Sequence, residues 1–189
     1  MPSPDERAAL ISALRPPSGM VLGQAVATTF TLDLETAMSI PIAFARGRSQ
    51  DLTDPISVME ALRDCADRID IFCQAGAIRP PTTQSTLFAF LEPMITQVWE
   101  RSRLFHPKIW LLRYDSPQGS RMRLLVLTRN LTADRAWDLA VSLDGEVDPQ
   151  RKRDRSLPEL VTWALSHTKG PALDKRRRER LQRLLDDAA

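Results

Sequence analysis

Two residue pairs in this 189-residue chain have the types and spacing to act on a phosphate ester. Phe105-His106-Pro107-Lys108-Ile109 sets an imidazole and an ammonium two positions apart, so on an extended backbone both project to one face. An imidazole beside an ammonium suits attack on an anionic phosphorus centre. The ring nitrogen is the nucleophile, and the ammonium neutralises oxygens whose charge grows in the transition state. A His-x-Lys pair alone is a common coincidence, and a partly exposed pair of strand residues is its plain structural reading. The second pair, Thr128 and Asn130, follows the hydrophobic run Arg123-Leu124-Leu125-Val126-Leu127. It adds a hydroxyl and a carboxamide able to hydrogen-bond the same anion. Arginines crowd this region, and Arg103, Arg113, Arg129 and Arg135 are the candidate substrate-binding set. Such local clustering matters more for phosphate binding than the net charge of +2.

The elements that must position these residues read as follows. A helix over 5–14 is closed by Arg15-Pro16-Pro17-Ser18-Gly19, and Met20 to Leu32 reads as a strand bent at Gly23. Asp33 to Arg46 is helical in pattern, with Pro41 expected to kink it. Asp54-Pro55 opens a helix with an apolar stripe at Val58, Met59, Leu62, Cys65, Ala66 and Ile69, and Ile69 to Cys73 is a short buried strand. A compact helix from Ser85 precedes three extended pieces, Gln97–Arg101, Leu104–Tyr114 and Met122–Thr128, the last two joined by a hairpin turn over 115–119. A short helix over 132–138 and a strand from Leu139 to Leu143 complete the alternation. Beyond residue 147 come a polar linker, a helix from Ser156 with a capping-box pattern to Glu159, and a basic helix to Asp187. The expected fold class is α/β, a mixed-sheet α-β-α sandwich over residues 15–147, with a basic linker and short C-terminal helical tail over 148–189.

On these residues the chain resembles a known family. HPKIWLLRYD followed by LLVLTRNLT is similar to one half of the phospholipase D superfamily signature, a His-x-Lys followed by a Gly-Ser-x-Asn-like element. The flanking GMVLGQAVATTFTLDLE and TRNLTADRAWDLAVSLDGEV resemble the N-terminal half of long bacterial phospholipase D-like proteins, several of which sit among defence and DNA-processing genes. The resemblance implies a phospholipase D-like sandwich and a two-step reaction through a phosphohistidine that needs neither metal nor cofactor. It makes His106 the nucleophile or, from the partner lobe, the general acid. Lys108 and Asn130 hold phosphoryl oxygens, and Thr128 replaces the usual serine. Asp115 is the nearest candidate for the motif's aspartate, with six residues intervening where four are usual, and Leu127 stands where the family has glycine. The superfamily site needs two motifs. The other histidine, in His167-Thr168-Lys169, lacks a following Ser/Thr-x-Asn element, so one half-site per chain implies a homodimer with a shared site, or completion by a larger defence or helicase partner.

The arginine-rich rim points to DNA or RNA as substrate, and the missing amphipathic element argues against a membrane partner. Two further classes stay open: a non-catalytic half-site module that binds nucleic acid or a partner protein, and a phospholipase or phosphatidyl transferase. Cys65 and Cys73 read as buried reduced thiols, and the N-terminus lacks a signal-peptide pattern, so a cytoplasmic protein is expected. Two histidines and no clustered cysteines leave no structural zinc pattern. Trp110 and Trp137 read as core, Asp33 and Glu35 as a helix start, and Asp138 as either a cap or an orienter of His106.

Overall fold

Val21 to Thr29 alternates small and β-branched residues without an interior charge, and it forms the central strand of the sheet. A computed structural model of the chain describes residues 10–46, 55–134, 138–148, 155–169 and 173–189. In chain order the elements are β1 (Val21–Thr29), β2 (Leu32–Asp33), α1 (Leu34–Arg46), α2 (Pro55–Ala66), β3 (Ile69–Gln74) and β4 (Ile78–Arg79). A 3-10 helix (Thr86–Met94) leads into β5 (Ile95–Val98), β6 (Ile109–Ser116), β7 (Gly119–Leu127) and β8 (Ala140–Glu146). The chain continues through α3 (Ser156–Ser166), β9 (Thr168–Lys169) and α4 (Lys175–Asp187). Seven strands form one mixed sheet in the order β8-β7-β6-β1-β3-β5-β9. β1, β3 and β5 are parallel, and the remaining pairings are antiparallel.

The period of two in the strands sorts side chains onto two cores. Ile69, Ile71 and Cys73 of β3 join Trp110, Leu112 and Tyr114 of β6 against α1, α2 and the 3-10 helix. Phe72, Val26 and Leu111 point the other way and meet Val161 and Ala164 of α3 and Leu181, Leu184 and Leu185 of α4. The architecture is therefore mixed α/β, with helices on both faces of a mixed sheet. Cys65 and Cys73 are free and buried, and burial pushes the Cys73 thiol up to about 12. Among the described residues no helix is long and apolar enough to cross a membrane.

The hairpin between β6 and β7 closes on the pair Ser116 and Gly119, as the turn residues require. The bend in β1 is a register shift between Leu22 and Gln24. A Cβ on Gly23 would lie 2.1 Å from Asp115 Oδ2, so the bulge brings the carboxylate of β6 over a residue without a side chain. Asp33 caps α1 by accepting from the N–H groups of Glu35 and Thr36, confirming that this acidic pair starts a helix.

Pro41 lies inside α1, which spans Leu34–Arg46. Four expectations are corrected. Strand β6 starts at Ile109 rather than Leu104, because Phe105 N–H donates to the Gln74 side chain and Ile109 N–H to Thr28 Oγ1, not to a strand neighbour. Residues 132–134 and 138 are not helical, and 135–137 lie outside the described residues, as do 5–9 of the first helix and Asp54. Helix α3 begins at Ser156 itself, with Arg155 at the cap position and no side-chain cap bond. Most consequentially, the presumed tail is the second helical layer. β9 extends the sheet beside β5, and α3 and α4 cover its second face.

What docks α4 is a charge pair invisible in local sequence. Asp70 of β3 is fully buried, and its carboxylate accepts from the Arg177 guanidinium, which also donates to Met94 O and Thr96 Oγ1, both at 3.2 Å. Burial pushes the Asp70 carboxyl up against the opposing pull of Arg177. Removing one member strands the other in a low-dielectric layer. Asp70→Ala is therefore expected to lose about 3–5 kcal/mol in urea denaturation, with Asp70→Ala/Arg177→Ala losing less than the sum of the single changes.

Candidate active site

At the carboxyl end of β1 the ladder stops, yet its backbone groups still need partners. Thr28 Oγ1 accepts from Ile109 N–H at 3.0 Å, which ties the start of β6 to this end. Thr29 Oγ1 donates to Thr31 O at 2.8 Å and accepts from Leu131 N–H at 3.0 Å. Asn130 Oδ1 accepts from Phe30 N–H at 3.1 Å and Thr31 N–H at 3.4 Å. From β3, Gln74 donates its backbone N–H to Phe30 O at 3.2 Å, and its Oε1 accepts from Phe105 N–H at 2.7 Å. The segment 99–108 is thereby drawn across the carboxyl ends of the parallel strands, where open α/β sheets present their ligand sites.

On this platform sit the two residues singled out by spacing. His106 is exposed, its ring centroid 5.1 Å from that of Phe30 at a 45° tilt. Lys108 is buried to 9% exposure, and its Nζ lies 3.0 Å from Nδ1 and 3.2 Å from Nε2 of the imidazole. Nζ also donates to the backbone oxygen of His106 at 3.2 Å. A ring nitrogen that accepts from this ammonium must carry its lone pair. Lys108 is further held by its own carbonyl, which accepts from Leu127 N–H at 2.9 Å. Burial pulls the Lys108 ammonium below its ordinary value of 10.5. Both residues precede β6 instead of lying on it, but their side chains still meet.

Asn130 reaches this corner with a divided role. Its oxygen satisfies the β1 turn, and its Nδ2 has no acceptor among the described residues, leaving the amide hydrogens for a ligand. Thr128 is committed elsewhere. Its hydroxyl donates to Asp138 Oδ1 at 2.9 Å and accepts from Leu139 N–H at 2.9 Å, while Asp138 also takes the N–H groups of Thr128 and Arg129. Asp138 is thus the clasp of the loop before β8, not an orienter of His106.

The other candidates separate. Asp115 stands seven residues past Lys108, roughly 23 Å along β6, bonded to Arg113 Nε at 2.9 Å and Ser120 Oγ at 2.6 Å. It cannot reach the same anion as His106. Arg113, near that far end, also pairs with Asp187 of α4 and is structural. Arg129 turns to Asp134, and Arg135 lies outside the described residues. Only Arg103 of the set is exposed within the segment that carries His106. Of the basic run in α4, Arg177 points inward to Asp70. His167 stacks on Trp163 at 4.4 Å, its Nδ1 lies 2.9 Å from Ser166 Oγ, and Lys169 is on β9, four strands from β6, so no second half-site forms there. Trp110 is buried core, while Trp137 lies outside the described residues. Among the described residues no three His, Cys, Asp or Glu side chains gather as a metal site.

Phe30 and Gln74 were missed by sequence reasoning. The available signal was the polar residues Thr28-Thr29 and Gln74 at the ends of buried strands. Compared with known proteins, the chain matches no family model, no curated protein and no solved structure.

Two outcomes test this geometry. Asn130→Ala leaves the Phe30 N–H without its acceptor and is expected to lower stability by about 1–3 kcal/mol in urea melts, whereas Asn130→Asp retains an acceptor and stays near wild type. Because burial lowers the Lys108 pKa, its charge is lost as pH rises through a window that begins below 10.5. Inorganic phosphate binding, followed by NMR titration, should fall across that window and persist to higher pH in Lys108→Arg.

Proposed function

We propose that the chain is a phospholipase D-like phosphodiesterase acting on nucleic acid through a phosphohistidine, in a site shared between two copies. The observation that carries this reading is the exposed His106 imidazole held within 3.0 Å of the buried Lys108 ammonium at the carboxyl ends of the parallel strands. An arriving phosphodiester takes over Lys108 Nζ and frees the ring nitrogen it had engaged. That nitrogen attacks phosphorus, the bond to the leaving oxygen breaks, and the partner's His106 as imidazolium gives that oxygen its proton. Water then loses a proton to the same imidazole and displaces the P–N bond. Lys108 Nζ and Asn130 Nδ2 stabilise the non-bridging oxygens in both steps. The mixed sheet, with the His-x-Lys segment feeding a central antiparallel strand, supports the phospholipase D-like fold. A role in defence or DNA processing is consistent with the same resemblance.

A single imidazole leaves the leaving-group proton unsupplied, which motivates the second copy. Strand β8 is exposed along its whole length at the sheet edge. Val126, Leu139, Val141 and Leu143 form an uncovered apolar ledge whose inner residue, Val126, pairs with Ile109 next to Lys108. A self-complementary contact there adjoins the half-site. One observation favours the non-catalytic reading instead: the Thr128 hydroxyl is engaged with Asp138 and Leu139, so it adds nothing to an anion site.

The decisive variant is His106→Ala. Cleavage of oligonucleotides should fall by more than a thousandfold with binding retained, and wild-type cleavage should survive EDTA. Light scattering should give twice the chain mass, shifting to the monomer in Val141→Lys with parallel loss of activity. Undiminished cleavage by His106→Ala would end the enzymatic reading.

A further inference from the structure

The segment that carries His106 begins with an aromatic side chain that the catalytic reading does not use. Trp99 directly follows β5 and is 47% exposed, although large aromatics are ordinarily buried. The ammonium of Lys169, on β9, lies over the indole at 5.9 Å from its centroid. The backbone beneath is held, because Trp99 N–H donates to His167 O at 2.9 Å and His167 is itself stacked on Trp163, which stacks on Phe105. An exposed indole on a fixed backbone with a cation at its face has the composition of a stacking site for a base and its phosphate.

Its position relative to His106 follows from the sheet. Val98 pairs with Gln74, Cys73 with Thr29, and Thr28 accepts from Ile109, so Trp99 and Lys108 lie on strand lines three apart. At sheet spacing that is roughly 14 Å, the reach of a few nucleotides. Between them Arg101 and Arg103 are exposed, while the neighbouring carboxylate of Glu100 accepts from the N–H and hydroxyl of Ser102. We infer that Trp99 and Lys169 form a base-stacking subsite for an unpaired nucleic-acid strand, which runs along segment 99–108 to place a phosphate at His106.

This inference rests on the nucleic-acid reading of the site and narrows it to single strands, since a paired base keeps its faces inside the duplex. A lipid surface is the less favoured occupant. The indole carries an ammonium at its face, and Leu104 is the one other strongly exposed apolar side chain among the described residues of the segment.

The test uses the full chain carrying His106→Ala, so that binding is read without cleavage. Fluorescence anisotropy is measured with labelled oligo(dT), oligo(U) and a duplex of equal length. Trp99→Ala should raise the single-strand Kd about 5- to 150-fold while duplex binding and the melting temperature stay unchanged. Trp99→Phe should recover most of the loss, and an oligonucleotide with one abasic site should reproduce it on the Trp99 protein. The dT and U arms distinguish DNA from RNA as the preferred strand. A single-strand Kd unchanged in Trp99→Ala overturns the subsite while leaving the His106 chemistry standing. Trp99-dependent binding in a chain whose His106 form never cleaves keeps the subsite and discards the catalytic reading. Loss confined to binding of vesicles of zwitterionic and anionic phospholipid overturns the subsite in favour of a membrane contact.

Discussion

Where β1 ends, backbone donors and acceptors leave the sheet ladder inside the protein, and their partners determine how the surrounding segments are placed. Asn130 supplies an acceptor for Phe30 and Thr31, and Thr28 and Thr29 accept from Ile109 and Leu131. Gln74 binds Phe30 through its backbone and Phe105 through its side chain. Each bond ties a segment distant in sequence to this corner, because a buried amide left unpaired is costly. The imidazole and ammonium of His106 and Lys108 inherit their position from that requirement. Their geometry is a by-product of backbone satisfaction, which explains why Thr28, Thr29 and Gln74 stand at the ends of their strands.

The second constraint lies on the opposite face. A parallel strand such as β3 is covered on both sides, and its six residues are all buried. Asp70 is the exception in chemistry, and it binds Arg177, an inward-facing arginine of a helix rich in charge. The Leu181, Leu184 and Leu185 stripe provides the apolar contact, while the ion pair sets how the helix lies on the sheet. Arg113 and Asp187 make a further tie at the end of α4. The same arrangement removes Arg177 and Arg113 from any role in substrate binding, since both guanidinium groups are engaged by carboxylates.

Thr128 and Asp138 show how a motif-like residue can be structural. The hydroxyl and carboxylate close the turn from β7 to β8 with four hydrogen bonds, counting both Thr128 donors, Arg129 N–H and Leu139 N–H. That closure delivers Asn130 to the β1 end. The residue pair noticed for its i, i+2 spacing thus acts in series: Thr128 shapes the loop, and Asn130 makes the contact at the site.

The sequence by itself determined the buried strand β3, the hairpin of β6 and β7, the bend at Gly23 and the i, i+2 spacing of His106 and Lys108. All of these are consequences of local periodicity or of turn chemistry, in which partners are a few residues apart. It also placed Asp33 at a helix start, because capping depends on the next three residues alone. Only the tertiary structure decided that residues beyond 148 form a layer instead of a tail, since Asp70 and Arg177 are 107 positions apart and neither signals the other. The fate of Asp115 and Arg113 was likewise decided by strand length: six or seven extended residues carry a side chain far from the site that its sequence neighbours occupy. The platform of Phe30, Asn130 and Gln74 beneath His106 depended on where three chain segments end against one another, a property of sheet order that no local pattern encodes.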